Sequence, residues 1–363
     1  MPKASPKRLY LVPVLSKALD VLEMAQRENR PMSLESFYQR THISKTTVYR
    51  ILKTLVHRGY IAQTQDGLYR AVSRPRKVRF GFGGQSTEMP FSEAVTKGLQ
   101  DAAADTGVDL LVLDNHYDPA IAVNNAEEFV RQGVDLVIEF QVDQQAASII
   151  GDKISAAGIP LIAVDIPHPH AVYFGVDNFR VGFSAGELLA RHAQKNWDAK
   201  TKWVLGLDLE DAGPLVQARI TGAFEGIRSI LQNLPAESFV RMDARGMRDK
   251  SYRVVHDFLH RHPRDRHILI AAANDTSALG ATRAVRDLGR EQHVAIVGQD
   301  CIDEALEEMA ITNSPLIGSI SHEAHMYGQR LIHIGLAMLG GQSVPPYNYV
   351  EYKVVEARSI TGV

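Results

Sequence analysis

Residues 33–60 read SLESFYQRTHISKTTVYRILKTLVHRGY. The pattern predicts two helices joined by a tight turn. The first runs from Leu34 to Arg40, the turn is Thr41-His42-Ile43, and Ser44 offers a hydroxyl to the unpaired amides of the second helix. From Lys45 onward, Val48, Ile51, Leu52, Leu55 and Val56 fall on one face at helical spacing. The opposite face carries Thr46, Arg50, Lys53 and His57, with Lys45 and Tyr49 at its margin. A helix that is apolar behind and basic and hydroxylated in front can lie in a DNA major groove. There Arg forks onto guanine, Thr meets a thymine methyl and Lys neutralises phosphate. An ordinary amphipathic surface helix would share much of this pattern, so the flanking sequence decides. Gly59 ends the helix, and residues 61–70, IAQTQDGLYR, read as a hairpin around Asp66-Gly67. A helix-turn-helix followed by a hairpin is a winged helix. The wing brings Arg70, and Arg74, Arg76, Lys77 and Arg79 lie just beyond it.

Outward from this stretch, three phrases match a known head. They are Leu15-Ser16-Lys17-Ala18-Leu19-Asp20-Val21-Leu22, then Ser44 to Arg50, then Leu55-Val56-His57-Arg58-Gly59-Tyr60-Ile61. Residues 14–72 resemble the DNA-binding head of IclR-type transcription regulators. The resemblance implies that Lys45, Thr46, Thr47, Tyr49 and Arg50 read bases and phosphates. Lys53 on the same face and Arg70 on the wing join them as candidate DNA contacts. In front of the unit, a first helix is expected from Val14 to Asn29, with Leu15, Ala18, Leu19, Leu22 and Ala25 inward, and Arg30-Pro31 breaking it. Residues 1–13 read as a basic arm and residues 73–77 as a basic linker.

The charge supports this division. The 363-residue chain has 40 Lys+Arg against 42 Asp+Glu, but residues 1–80 hold 16 against 5, leaving 24 against 37 for the rest. A basic head on an acidic body suits a head that binds a polyanion and a body that does not. The single cysteine, Cys301, excludes an internal disulfide framework and fits a reducing compartment as a near-core thiol. No stretch reaches the ~20 apolar residues of a membrane span. The run Leu9 to Leu15 is short, broken by Pro13 and lacks a small-residue cleavage site, so no signal peptide and a cytoplasmic location are expected.

From Val78 to the end the pattern alternates between apolar runs and amphipathic segments of helical length. The runs begin at Val78, Leu110, Leu136, Leu161, Val172, Lys202, Ile268, Val294 and Leu316. Continuous apolar runs are the mark of buried parallel strands, so residues 78–363 are expected to form a doubly wound α/β body, large enough for two lobes. In such sheets ligands sit beyond the carboxyl ends of the strands. Those positions hold Gln85, Ser86, Glu88, Met89, Pro90 and Phe91; Asp114 and Asn115; Phe140 and Gln141; Asp165; Asp208 and Glu210; Asn274 and Asp275; Asp300; and Ser321 and His322. Carboxylates and amides bind hydroxyls, and Phe91 and Phe140 offer flat apolar faces. The mixture suits a small carbohydrate or polyol. Each Asp or Asn singly could instead cap the next helix.

The body resembles the sugar-binding fold shared by ribose-binding-type periplasmic receptors and LacI-type repressors. The matching phrases are residues 132–138, QGVDLVI; residues 158–165, GIPLIAVD; Val176-Asp177-Asn178; Ala273-Asn274-Asp275 with Ala278-Leu279-Gly280; and Val297-Gly298-Gln299-Asp300. The resemblance places Phe91, Asp165, Arg219, Asn274, Asp300 and His322 in the ligand cleft; Arg219 is a position that strand ends alone do not reveal. The family often has Asn where Met89 stands, Arg where Ile166 stands and Gln where His322 stands, which leaves the ligand's identity open. No LacI-type hinge helix is legible between residues 73 and 78.

Other signals are weaker. Gly81-Phe82-Gly83-Gly84 lacks the third glycine of a dinucleotide loop, which would fall at Ser86. His322-Glu323-Ala324-His325 is not a metal motif, and His168-Pro169-His170 reads as a cleft rim. No nucleophile elbow stands out. No cofactor or metal is expected. The expected protein is a non-enzymatic, ligand-responsive transcription regulator, acting as a homodimer on an inverted-repeat operator. Two alternatives remain: an exported receptor feeding a sugar transporter, which needs a signal peptide and no DNA head, and an enzyme on a doubly wound fold, which needs a reactive constellation in the cleft.

Overall fold

The structure, a computed structural model, describes residues 12–28, 30–72 and 77–361. The chain divides into two compact units, Met1–Lys77 and Val78–Val363. Nearly all of the expected basic arm and linker, including Arg74 and Arg76, lies outside the described residues.

The first unit contains α1 (Pro13–Glu28), α2 (Leu34–Thr41), α3 (Lys45–His57), β1 (Ile61–Gln63) and β2 (Tyr69–Ala71). Ser33 Oγ accepts from the Ser36 amide at 3.1 Å and Ser44 Oγ from the Thr47 amide at 3.4 Å, so α2 and α3 both begin on hydroxyl caps. His42 takes φ 54° to reverse the chain between them. β1 and β2 pair antiparallel, with Ile61 opposite Ala71, and Gly67 holds φ 76° in the turn. Val21, Phe37, Val48, Leu52 and Ile61 form the core. The expected face of α1 is partly wrong. Leu15 and Leu19 are 56% and 48% exposed, and the inward stripe is Ala18, Val21, Leu22 and Ala25. The helix has 16 residues against 8 in α2 and 13 in α3, so its first turns overhang a core that the shorter helices cannot extend.

The second unit has two lobes. Lobe 1 begins with β3 (Arg79–Gly84), α4 (Pro90–Thr106), β4 (Asp109–Asp114), α5 (Pro119–Gln132), β5 (Leu136–Glu139), α6 (Gln144–Ala156), β6 (Leu161–Val164) and β7 (Val172–Gly175). The chain then crosses to lobe 2. This contains α7 (Asn178–Trp197), β8 (Trp203–Asp208), α8 (Pro214–Ile230), β9 (Phe239–Asp243), α9 (Arg248–Arg261), β10 (Ile268–Ala272), α10 (Asp275–Asp287), β11 (Val294–Gln299), α11 (Asp303–Met309) and β12 (Leu316–Ser321). After β12, α12 (Tyr327–Leu339) and β13 (Tyr347–Tyr349) return to lobe 1, and β14 (Lys353–Glu356) and α13 (Ala357–Thr361) end in lobe 2. The sheet orders are β13-β7-β6-β5-β3-β4 and β14-β12-β11-β10-β8-β9, and all pairs are parallel except β12 with β14. Among the described residues each lobe is thus a doubly wound parallel sheet.

β5, β6, β10 and β11 are buried along their whole length, which is why they read as unbroken apolar runs. The reading missed β9, β13 and β14. All three are outermost strands, and their exposed Arg241, Tyr347, Tyr349 and Lys353 interrupt the apolar signal.

α7 and α8 pack with unusual closeness. A Cβ at Gly182 or Gly186 would collide with the carbonyl oxygens of Arg219 or Ala223, and one at Gly222 or Gly226 with those of Phe179 or Phe183. The two helices therefore touch backbone to backbone, and α7, which starts at the first crossing, is fixed against α8, which carries Arg219.

Candidate functional site

In lobe 1 the strand order reverses at β3, which lies between β4 and β5; in lobe 2 it reverses at β8, between β9 and β10. Loops leaving the carboxyl ends diverge at such points and open a crevice. A single cleft with about 670 Å³ of open space lies there, lined from both lobes. Lobe 1 contributes Phe91 from the first turn of α4, Phe140 after β5 and Asp165 after β6. Lobe 2 contributes Arg219 from α8, Asn274 after β10 and Asp300 after β11, and His322 sits on the second crossing. The structure thus brings all seven candidate ligand residues to one cavity.

The two carboxylates are held on unusual backbone. Asp165 has φ 59° and sits at the centre of a three-residue turn, closed by the Ile166 amide donating to the Val164 carbonyl at 2.7 Å. Asp300 has φ 107°. Asp tolerates this region better than most residues, but such positions still cost about 1–3 kcal/mol and concentrate at ligand sites. Arg219 is buried; its Nε donates to Asn178 Oδ1 at 3.0 Å and its Nη1 to the Ala273 carbonyl at 2.5 Å. Burial pushes the Asp165 carboxyl up to about 6, against the Arg219 guanidinium, which lowers it. Burial also raises Asp300 well above the ordinary carboxylate range, helped by Asp275 and opposed by Arg219. His322 Nδ1 lies 3.3 Å from Asp300 Oδ1 and its Nε2 lies 3.0 Å from Gln299 Oε1. Burial, with Arg219 nearby, pushes the His322 imidazolium well below its usual range. With the His322 ring held neutral, its contact with Asp300 is not an ion pair. Phe91 stands edge-on to Phe140, His322 and Tyr327, with centroids 6.2, 5.9 and 5.5 Å away.

Not every strand-end residue faces the cleft. Asp114 accepts from the Thr87 hydroxyl and from the Thr87 and His116 amides. Asn115 bonds Glu139, the Phe140 carbonyl and Asn125. Asp208 pairs with Arg241, and Asp275 is buried against Ser319 and the Ile302 amide. Asn274 lines the cleft but also caps α10: its Oδ1 accepts from the Ser277 amide at 2.9 Å and its Nδ2 donates to the Gly246 carbonyl at 3.1 Å. The capping role is therefore real for Asn274. His168 is buried with Nδ1 2.8 Å from the Ile166 carbonyl, and burial lowers it to about 4, so it is a neutral ring packed behind Ile166 and not one of the residues that line the cleft. The sequence reading missed Tyr117, Leu209, Val216 and Ile302. Tyr117 enters through His116 and Tyr117, consecutive residues at φ 50° and 57°, a turn that their side chains do not advertise.

In the first unit, Lys45, Thr46, Tyr49, Arg50 and Lys53 are exposed along α3, and Arg70 is exposed on β2. Lys45 Nζ donates to Glu35 Oε2 at 2.6 Å, the Thr47 hydroxyl bonds Ser44 Oγ at 2.8 Å, and Lys53 Nζ donates to Gln63 Oε1 at 3.2 Å. Thr46, Arg50 and Arg70 have no side-chain partner among the described residues. Among those residues no helix is long and apolar enough to cross a membrane, and no group of His, Cys, Asp and Glu is placed to hold a metal.

Comparison with known proteins matches both units. Residues 80–343 match the model of the periplasmic binding protein domain, and residues 14–65 match that of the IclR helix-turn-helix domain. The ribose import binding protein of Haemophilus influenzae is 26% identical over 300 residues, covering 81% of this chain and 92% of that protein. That of Escherichia coli is 25% identical over 269 residues, covering 73% and 86%. A periplasmic solute binding protein of Actinobacillus succinogenes, solved with bound D-allose, superposes with TM-score 0.68 at 22% identity, covering 79% of this chain and 100% of that one. A solute binding protein of Bacillus halodurans, solved with bound myo-inositol, gives 0.67 at 20% identity, covering 80% and 98%. The chain belongs to the periplasmic binding protein domain family, and it carries an IclR helix-turn-helix domain ahead of that domain.

Proposed function

We propose that this protein is a ligand-responsive transcription regulator. Its winged head binds operator DNA as a homodimer, and its cleft binds a small carbohydrate-like effector that modulates operator binding. The carrying observation is that one chain holds both an exposed basic helix face, centred on Arg50, and a two-lobed cleft whose polar groups include Asp165, Arg219 and Asp300. Relatives named for ribose and neighbours solved with D-allose or myo-inositol support the effector class. A DNA head on such a body supports a cytoplasmic location and speaks against an exported receptor. An effector can act on the head only through different affinities for the open and closed lobes, so closure is the coupling event.

The test has two parts. Thermal shift against sugars, polyols and sugar acids identifies a ligand, because binding to the folded state raises the melting point. Fluorescence anisotropy on DNA selected from random sequence then reads operator binding with and without that ligand. Selection of a specific inverted repeat whose affinity the ligand changes is the expected result. A protein that selects no sequence, or whose operator binding ignores a bound ligand, is not such a regulator.

A further inference from the structure

We infer that the effector is an uncharged polyol bearing a non-polar substituent: a deoxy carbon, a methyl ether or a short aglycone. This rests on the reading of the cleft as an effector site. The cleft lining holds two distinct sets of groups. Asp165, Arg219, Asp300 and His322 form the centre of the polar set, linked by the His322–Asp300 contact and by the field of Arg219 on both carboxyls, with Gln85, Tyr117, Asn274 and Thr276 beside them. The other set is aliphatic: Met89, Val142, Ile166, Leu209, Val216 and Ile302. Within it Ile166 from lobe 1 packs with Val216 and Leu209 from lobe 2, together with Ala147 and Ala212, as one contiguous apolar patch. Closure thus sets carbon from both lobes against the same part of the ligand.

A ring hydroxylated on every side would place hydroxyls against these aliphatic side chains, which neither accept nor donate. An unpaired buried hydroxyl weakens binding by about tenfold or more. A methyl or methylene in the same place gains about fourfold. The charge balance points the same way. Two carboxyls face one guanidinium, and that guanidinium already donates to Asn178 and to the Ala273 carbonyl. His322 is held neutral by its surroundings and adds no cation. A phosphate or carboxylate on the ligand would face two carboxyls, with only the remaining N–H groups of one guanidinium to receive it.

Calorimetry on the full chain tests this with matched pairs: hexoses against their 6-deoxy and methyl-glycoside forms, and against their phosphates. The tightest binder should carry the apolar substituent and exceed its parent by about fourfold or more. Ile166→Asn and the near-isosteric Val216→Thr should bring that ratio towards one. If the patch served lobe closure alone, both variants would weaken parent and substituted ligand by one common factor and leave the ratio unchanged, which overturns the inference. So does a tightest binder that is an unsubstituted or phosphorylated sugar, while the effector-site reading then stands. Failure of every member to bind sinks the effector-site reading itself, and this inference with it.

Discussion

The Tyr117 hydroxyl donates to the main-chain carbonyl of Arg245 at 3.0 Å, joining lobe 1 to lobe 2. Both ends are built on left-handed backbone: Tyr117 at φ 57° follows His116 at 50°, and Arg245 at 52° precedes Gly246 at 67°. Arg245 is itself anchored, its guanidinium on Asp211 at 2.7 and 3.0 Å and its amide on Asp243 Oδ1 at 3.1 Å. Two constrained turns therefore present one donor and one acceptor to each other, and the bond exists only while the lobes are together. Tyr117→Phe removes it with little change of shape. A neutral hydrogen bond contributes about 0.5–1.5 kcal/mol, so effector affinity should fall about two- to tenfold, mainly through faster release. Stopped-flow dissociation reads this directly; an unchanged off-rate would show that the contact does not latch the lobes.

In the cleft, Asp165→Ala, Arg219→Ala and Asp300→Ala should each lower effector affinity at least about tenfold, since charged hydrogen bonds contribute roughly 1.5–3 kcal/mol. Arg219→Ala should be the most damaging, because it leaves two carboxyls facing one another and frees Asn178 and the Ala273 carbonyl. The parent protein should also lose affinity as pH falls through about 6, where the raised Asp165 carboxyl takes up its proton and loses its charge. Basal DNA binding should survive in all three variants. Calorimetry decides, and wild-type affinity in all three would move the site elsewhere.

In the head, Arg50→Ala should weaken operator binding by about 1–3 kcal/mol and relax discrimination at one base pair. Lys45→Ala should do less, because Lys45 Nζ already bonds Glu35 Oε2 at 2.6 Å. Its effect should appear as a reduced salt slope, corresponding to about one phosphate contact. Neither change should alter effector affinity. Anisotropy titrations over a salt series separate the two roles, and an Arg50→Ala protein with full affinity and unchanged specificity would refute the recognition-helix assignment.

Glu139 gives a stability prediction. It is fully buried at the end of β5, accepts one bond from Asn115 Nδ2 at 2.7 Å, and its Oε2 has no partner among the described residues. Burial raises its carboxyl to about 8 from an ordinary 4.5, despite the Asn115 bond, which lowers it. The folded protein thus holds a proton that the unfolded chain releases above 4.5, and stability should decline as pH rises from there to about 8. Glu139→Gln keeps the acceptor and removes the charge. Its melting point should exceed the parent's by at least about 2 °C at pH 8, with the gap closing towards pH 4.5. Parallel melting curves of parent and variant across that range would contradict this account.

Much of this was legible in the sequence because the signals were local. Ser44 and the spacing of Val48, Ile51 and Leu52 announce α3 without reference to anything distant. The buried strands β5, β6, β10 and β11 read as apolar runs because both their faces are covered. Asp165 and Asp300 were found by position at strand ends, and Arg219 only through resemblance, since nothing around Gln217-Ala218-Arg219 says that its helix borders a cavity. What stayed hidden depends on partners far away in sequence. Leu15 and Leu19 carry the right periodicity but extend past the core that would have covered them. Tyr117 reaches the cleft through a backbone reversal that carries no Gly to mark it. The apolar patch of Ile166, Leu209 and Val216 comes together only when two lobes meet.

The three crossings between the lobes have a consequence for what happens when the gene is interrupted. The last crossing leaves β13 as the outermost strand of one sheet and β14 as the outermost strand of the other. A stop codon just after Ser321 would leave every residue of the head and nearly all of the cleft encoded. It would still strip one border strand from each sheet and remove α12, whose Gly335 lies against Phe80 in the core of lobe 1. The chain's last forty or so residues work as stitching for both halves at once, and no single break in the message can yield one lobe without damaging the other.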